Sequence, residues 1–190
     1  MRILFLGTPD FAVPSLASII EGPDTVVGVV SQPDRPRGRG LQPLPPPVAR
    51  LAREHGIEVH QPKRLHTAEM LDALRALDPE LIVTCAFGKI LRRSLLDLPP
   101  EGCINVHASL LPRHRGAAPI PRMILEGDPW TGISIFRMDQ GMDTGPILLQ
   151  ERAPIEPGGT AETLSPRLAK PAARRVVAAL ARRVDRKRVV

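Results

Sequence analysis

A chain of 190 residues, 43% of them hydrophobic, can bury one ordinary core, which argues against wholesale disorder and favours a single domain. It has no long uncharged apolar stretch for a membrane span, and MRILFLGTPD lacks the apolar length and small-residue cleavage site of a signal peptide, so a cytoplasmic protein is expected. Lys and Arg number 26 against 20 Asp and Glu, a net charge of +6 that favours an anionic partner such as nucleic acid.

In chain order, RILFLG (2–7) is an apolar strand closed by Gly7. GTPDFA after it lacks the second and third glycines of G-x-G-x-x-G, so it reads as a tight strand-to-helix turn with Asp10 near the helix N-terminus rather than a dinucleotide site. From Asp10 to Glu21, the residues Phe11, Leu16, Ile19 and Ile20 recur at helical spacing. TVVGVVSQ (25–32) is a second, β-branched strand. The Pro-, Arg- and Gly-rich stretch from Pro33 to Pro47 is a loop, either a plain connection or a grip on phosphates. VARLAREHG (48–56) reads as a helix stopped by Gly56, IEVH (57–60) as a short strand and AEMLDALRAL (68–77) as a helix. LIVTCAF (81–87) and CINVHAS (103–109) are nearly continuous apolar runs, the pattern of strands buried on both faces of a parallel sheet. Cys85 and Cys103 fall inside these runs as reduced core thiols.

APIPRMILEG (118–127) reads as a helix, and GISIFRM (132–138) and GPILLQERAPI (145–155) as strands around the turn DQGMDTG. The alternation predicts an α/β domain with a mostly parallel central sheet and helices on both faces, its ligand site lying beyond the carboxyl ends of the strands. In the tail, Arg174, Arg175, Arg182, Arg183, Arg186, Lys187 and Arg188 face only Asp185, so the body is nearly charge-balanced. Val176, Val177, Leu180 and Val184 give that tail one apolar side, suited to packing on the body or, failing that, to gripping RNA.

Asn105 and His107, at i and i+2 of a strand end, project to one face. Asp139 and Asp143 lie in a turn where Gly141 and Gly145 allow an irregular backbone, and so a carboxylate turned into a cleft. A carboxylate beside a histidine favours the imidazolium, and that cation together with an amide N–H stabilises an oxygen as a carbonyl becomes tetrahedral. These are the parts of an acyl-transfer site. No activated Ser or Cys nucleophile is evident, which leaves direct attack by an incoming amine, with the carboxylate helping to move its proton. His55, His60, His66 and His114 lack metal-ligand spacing and receive no role, and no metal is expected.

The segments GTPDFAVPSL, VVSQPDRPRGRG, NVHASLLPRHRGAAPI and MDQGMDTGPIL, in this order, closely resemble the methionyl-tRNA formyltransferase family over about residues 1–164. The resemblance implies a Rossmann-like formyltransferase fold that moves a formyl group from 10-formyltetrahydrofolate to the α-amine of initiator methionyl-tRNA in translation initiation. Asn105, His107 and Asp143 match its catalytic triad. Ser109, Leu110, Leu111 and Pro112 match its folate-binding segment, and Phe87, Gly88, Ile90 and Leu91 the wall of its pterin pocket. Arg39 matches a loop arginine that approaches the tRNA acceptor end, and the resemblance implies that Phe11 borders the methionyl side chain.

Folate and initiator tRNA are then the expected partners, with no membrane, and a monomer is expected. Members of that family usually continue into a β-barrel domain that helps hold tRNA, and many carry GRGKK where this chain has GRGLQ. Residues 165–190 are expected to form a basic, divergent or truncated tail, because Pro166 and Pro171 each cost about 3 kcal/mol inside a helix. The competing readings are a folate-dependent formyltransferase or hydrolase acting on another amine, such as that of a sugar nucleotide, and a non-catalytic folate- or RNA-binding remnant.

Overall fold

The computed structural model describes residues 1–37 and 42–182. Its strands are β1 (Arg2–Gly7), β2 (Thr25–Val30), β3 (Arg35–Arg37), β4 (Gln42–Leu44), β5 (Val59–His60), β6 (Leu81–Cys85), β7 (Cys103–His107), β8 (Trp130–Arg137) and β9 (Ile147–Pro154). A 3-10 turn at Asp10–Ala12 leads into α1 (Val13–Ile20); the later α-helices are α2 (Pro47–Glu54), α3 (Ala68–Ala76), α4 (Arg93–Leu96), α5 (Pro119–Leu125) and α6 (Ala161–Ala181).

A seven-stranded sheet has the order β5-β2-β1-β6-β7-β8-β9. From β5 through β7 neighbouring strands pair in parallel, while β8 is antiparallel to both β7 and β9. The chain moves outward from β1 to β2 and β5, then returns to β6 and proceeds the other way. Connections leaving the carboxyl ends of β1 and β6 therefore diverge, which opens a crevice there.

Strand alternation sends successive side chains to two cores. Ile3, Phe5, Val83, Ile104 and Val106 share one core with Leu16 of α1 and with Leu168 and Val176 of α6. Leu4, Leu6, Ile82 and Cys103 share the other with Leu74 of α3 and Leu95 of α4. This is the expected α/β architecture, with helices on both faces of a mostly parallel sheet. No helix among the described residues is long and apolar enough to cross a membrane.

Local reading and structure differ in three places. The Pro33–Pro47 stretch carries an antiparallel pair, β3 with β4, in which Pro36 lies opposite Pro43. The short helix α4 had no periodic signature to announce it. Most consequentially, α6 runs 21 residues through Pro166 and Pro171, crossing the boundary expected at residue 165. Thr160 caps it, its hydroxyl accepting from the Thr163 N–H while the Thr163 hydroxyl accepts from the Thr160 N–H. Leu164, Leu168, Val176 and Leu180 are buried along its length. At about 1.5–3 kcal/mol for each such side chain, that burial matches or exceeds two proline penalties of about 3 kcal/mol each. Glu151 of β9 accepts from Arg174 and Arg175 at 2.6 Å each, so these two basic residues of the tail bind the body. Val184 and the basic residues beyond Arg182 lie outside the described residues.

Candidate active site

The loops at the carboxyl end of the sheet are tied together before they form a cavity. The carbonyl of Phe87, just past β6, accepts from the Thr8 hydroxyl after β1 (3.2 Å) and from the Gln32 side-chain amide after β2 (3.0 Å). This gives GTPDFA and VVSQ a structural reason. Beside them lies a cavity of about 740 Å³, whose lining includes Asn105, His107 and Asp143 together with Phe11, Phe87, Gly88, Ile90 and Leu91. Each of these was expected at the site from the sequence, and the fold brings all of them together.

Asn105 and His107 do share a face of β7. Thr84, opposite Asn105 on β6, donates its hydroxyl to Asn105 Oδ1 at 2.8 Å. With its oxygen occupied, the amide keeps its Nδ2 hydrogens for the cavity. His107 is buried at 6% exposure and meets Phe136 edge-on, with ring centroids 6.4 Å apart. Its Nε2 lies 2.9 Å from the His114 carbonyl, and a carbonyl only accepts, so Nε2 carries a proton. That leaves Nδ1 as the nitrogen facing Asp143, at 3.6 Å from Oδ2.

Asp143 arrives from the β8–β9 turn, which folds back along the sheet face. The Met138 N–H donates to the Cys103 carbonyl at the start of β7, whereas Asp143 reaches His107 at its end. The turn's glycines work by close approach: a Cβ on Gly145 would sit 1.8 Å from the Arg137 carbonyl oxygen. The left-handed residue is Asp143 itself, with φ 54°. Its Oδ2 accepts the Gly116 N–H at 2.7 Å. Asp139 is spent on the turn instead, accepting from the Gly141 N–H (2.9 Å) and the Thr144 hydroxyl (2.7 Å).

Ser109, Leu110, Leu111 and Pro112 are not among the residues that line this cavity. The Ser109 hydroxyl donates to the Arg113 carbonyl (2.7 Å), and its carbonyl accepts from Ser134 (2.7 Å). The Ser134 oxygen in turn accepts the Leu111 N–H at 3.0 Å, and the Leu111 carbonyl accepts from Gln150 at 3.0 Å. This segment is a braced turn that leads the chain from His107 to His114. Arg39 lies outside the described residues.

Neither cysteine can serve as a nucleophile, since burial pushes the thiols of Cys85 and Cys103 up to about 12. Lys89, at the cavity edge, is held below its ordinary range by burial and then by Arg35, and it donates to the carbonyls of Pro62 (2.8 Å) and Lys63 (3.2 Å). Residues that the sequence did not single out also matter here. Thr84 sits as one polar residue in an apolar run, and Gly116 and His114 act through backbone groups.

An amide N–H, an imidazole nitrogen and a carboxylate thus converge at the wall of one cavity, where oxygen charge and a proton can be handled together. The formyl transferase family model matches residues 1–180. Methionyl-tRNA formyltransferase of Geotalea daltonii is 54% identical over 168 residues, covering 88% of this chain and 54% of that protein. That of Halorhodospira halophila is 54% identical over 179 residues, covering 94% and 57%. The chain spans about half the length of these curated relatives. In fold it is similar to phosphoribosylglycinamide formyltransferase of Bacillus halodurans, with a TM-score of 0.81, 22% identity and coverage of 99% of this chain and 97% of that one. The sheet order, the cavity at its carboxyl edge and the family match over nearly the whole chain agree, and the chain belongs to the formyl transferase family.

Proposed function

We propose that this chain catalyses formyl transfer from 10-formyltetrahydrofolate to the α-amine of methionine carried on initiator tRNA, working in the cytoplasm as a monomer. The observation that carries the reading is the convergence of Asn105, His107 and Asp143 on one cavity. The 54% identity to proteins named methionyl-tRNA formyltransferase supports the choice of amine. A cavity of about 740 Å³ is of a size that takes a compact organic ligand, the usual range being roughly 300–1,000 Å³. Phe87, Gly88, Ile90 and Leu91 are the residues that would hold the pterin end.

The donor supplies a formyl carbon on nitrogen. As the amine adds to that carbon, Asn105 Nδ2–H and a proton on His107 Nδ1 meet the oxygen that becomes negative. The ring then donates from both nitrogens, to the oxygen through Nδ1 and to the His114 carbonyl through Nε2. Asp143 balances the ring's charge and accepts the proton released by the attacking amine, directly or through water. The same proton is delivered to the departing folate nitrogen as the carbon–nitrogen bond breaks. The catalytic unit in this reading extends through α6, whose buried side chains complete the core.

A formylation assay on charged initiator tRNA with 10-formyltetrahydrofolate, run beside a folate-binding titration, tests the assignment. Transfer to the methionyl amine is expected. Folate binding without transfer to any amine would overturn it in favour of a non-catalytic binding module.

A further inference from the structure

We propose that Asp128 is a positioning residue for His107, acting through His114. Both ring nitrogens of His107 are addressed from one short segment. Nε2 meets the His114 carbonyl at 2.9 Å, and the Asp143 oxygen that faces Nδ1 at 3.6 Å is pinned by the Gly116 N–H at 2.7 Å. The backbone of residues 114–116 thus touches both the imidazole and its carboxylate.

That segment does not hold its shape by local preference. His114 has φ 55°, in the left-handed region that non-glycine residues adopt uncommonly. The Asp128 carboxylate ties the side chains of this segment down. Oδ2 pairs with His114 Nε2 at 2.5 Å, and Oδ1 accepts from Arg113 Nη2 at 2.7 Å, so one side chain grips two consecutive residues. The side chains of His114 and Asp128 are 6% and 11% exposed, so water competes little for either. Asp128 itself is anchored just after α5, its N–H donating to the Met123 carbonyl at 3.0 Å.

His114, Glu126 and Asp128 also bring ligand atoms within 4.8 Å of one another, the spacing of a cation site. The Arg113 guanidinium already supplies positive charge there, 2.7 Å from Asp128 and 3.6 Å from Glu126. The cluster is therefore read as a clamp. Asp128 does not line the cavity, which separates its effect from contact with substrate.

The rate arm of the test rests on the formyl-transfer reading; the spectroscopic arm does not. In the full chain labelled with 15N-histidine, the His107 Nε2–H held by the His114 carbonyl is expected as a slowly exchanging downfield signal. Asp128→Ala and His114→Ala should each broaden or shift it. They should also lower the single-turnover formyl-transfer rate by about 10-fold or more with the affinity for 10-formyltetrahydrofolate unchanged. Asp128→Asn, which keeps an acceptor for His114, should fall between wild type and Asp128→Ala and serves where the alanine variant folds poorly. Because the two residues act in series, the double variant should lose no more than Asp128→Ala alone. An unchanged His107 signal in both alanine variants, or rate losses that multiply in the double variant, would overturn the clamp. If wild-type protein transfers no formyl group, the functional reading fails while the His107 signal still decides the clamp.

Discussion

Replacing Asp143 with Asn removes one negative charge, and with it the proton acceptor of the proposed mechanism, while leaving the local geometry in place. The amide oxygen can still accept the Gly116 N–H, and Asn tolerates the left-handed φ of 54° found at this position. At 3.6 Å from His107 Nδ1, and with an effective dielectric of about 20, the lost attraction to a cationic ring is roughly 5 kcal/mol before screening. Both side chains are only slightly exposed, at 7% and 15%, so water removes part of that figure and about 3 kcal/mol is left for the transition state. The expected loss is therefore on the order of 10²-fold in single-turnover formyl transfer, with donor affinity within about twofold of wild type. Asp143→Ala also discards the Gly116 bond and should lose more. A well-folded Asp143→Asn protein whose rate stays within about threefold of wild type would refute the charge argument, because no geometric change would mask the effect.

Asn105→Ala and His107→Ala should fold normally and lose roughly 10²- to 10³-fold in turnover, as the removal of an oxyanion donor does; unchanged formylation in either would sink the catalytic assignment. Cys85 and Cys103 have folded-state values near 12 against an ordinary 9.0, so their contribution to stability is fully present below pH 9.0 and is lost as pH rises from there towards 12. By pH 10 each should have given up about 1 kcal/mol, so urea titrations of a Cys85→Ala/Cys103→Ala double variant should show a shallower decline above pH 9 than wild type. An identical slope would show that the thiols do not govern that window. Pro166 is exposed within α6, so Pro166→Ala should raise stability by about 2 kcal/mol, the helix penalty less the entropy that proline removes from the unfolded chain. A lowered melting temperature would mean that the proline ring makes contacts worth more than the missing hydrogen bond.

Much of the fold was legible because its strands are short apolar runs with hard stops. Leu81–Cys85 is buried at every position, so its near-continuous hydrophobicity pointed directly to a central parallel strand. The β3–β4 pair carried no such signal, since Pro36 and Pro43 face each other where an alternating pattern would be sought. The tail misled for the opposite reason. Pro166 and Pro171 are strong local signals against a helix, but the opposing term is burial of Leu164, Leu168, Val176 and Leu180 against a sheet formed by distant residues. Local propensity is decided within a few residues, and tertiary burial is not.

The same division separates what the site revealed from what it concealed. Asn105 and His107 announced themselves because strand period alone puts i and i+2 on one face, whereas the glycine-bracketed turn offered Asp139 and Asp143 alike and only the family resemblance chose Asp143. Period cannot say which way an amide is flipped or which ring nitrogen bears a proton. Those choices belong to Thr84, opposite Asn105 in register, and to the carbonyl of His114, whose side chain Asp128 holds. The Ser109–Pro112 stretch lies outside the lining of this cavity, and its hydrogen bonds run to Arg113, Ser134 and Gln150. Its physical task is to carry the chain from the buried end of β7 back to where one carbonyl can meet His107. A relative that kept Asn-x-His and the aspartate but lost that brace would still have Thr84 to orient Asn105, but it would lose the fixed His114 carbonyl that orients the His107 ring, and catalysis depends on where those hydrogens point.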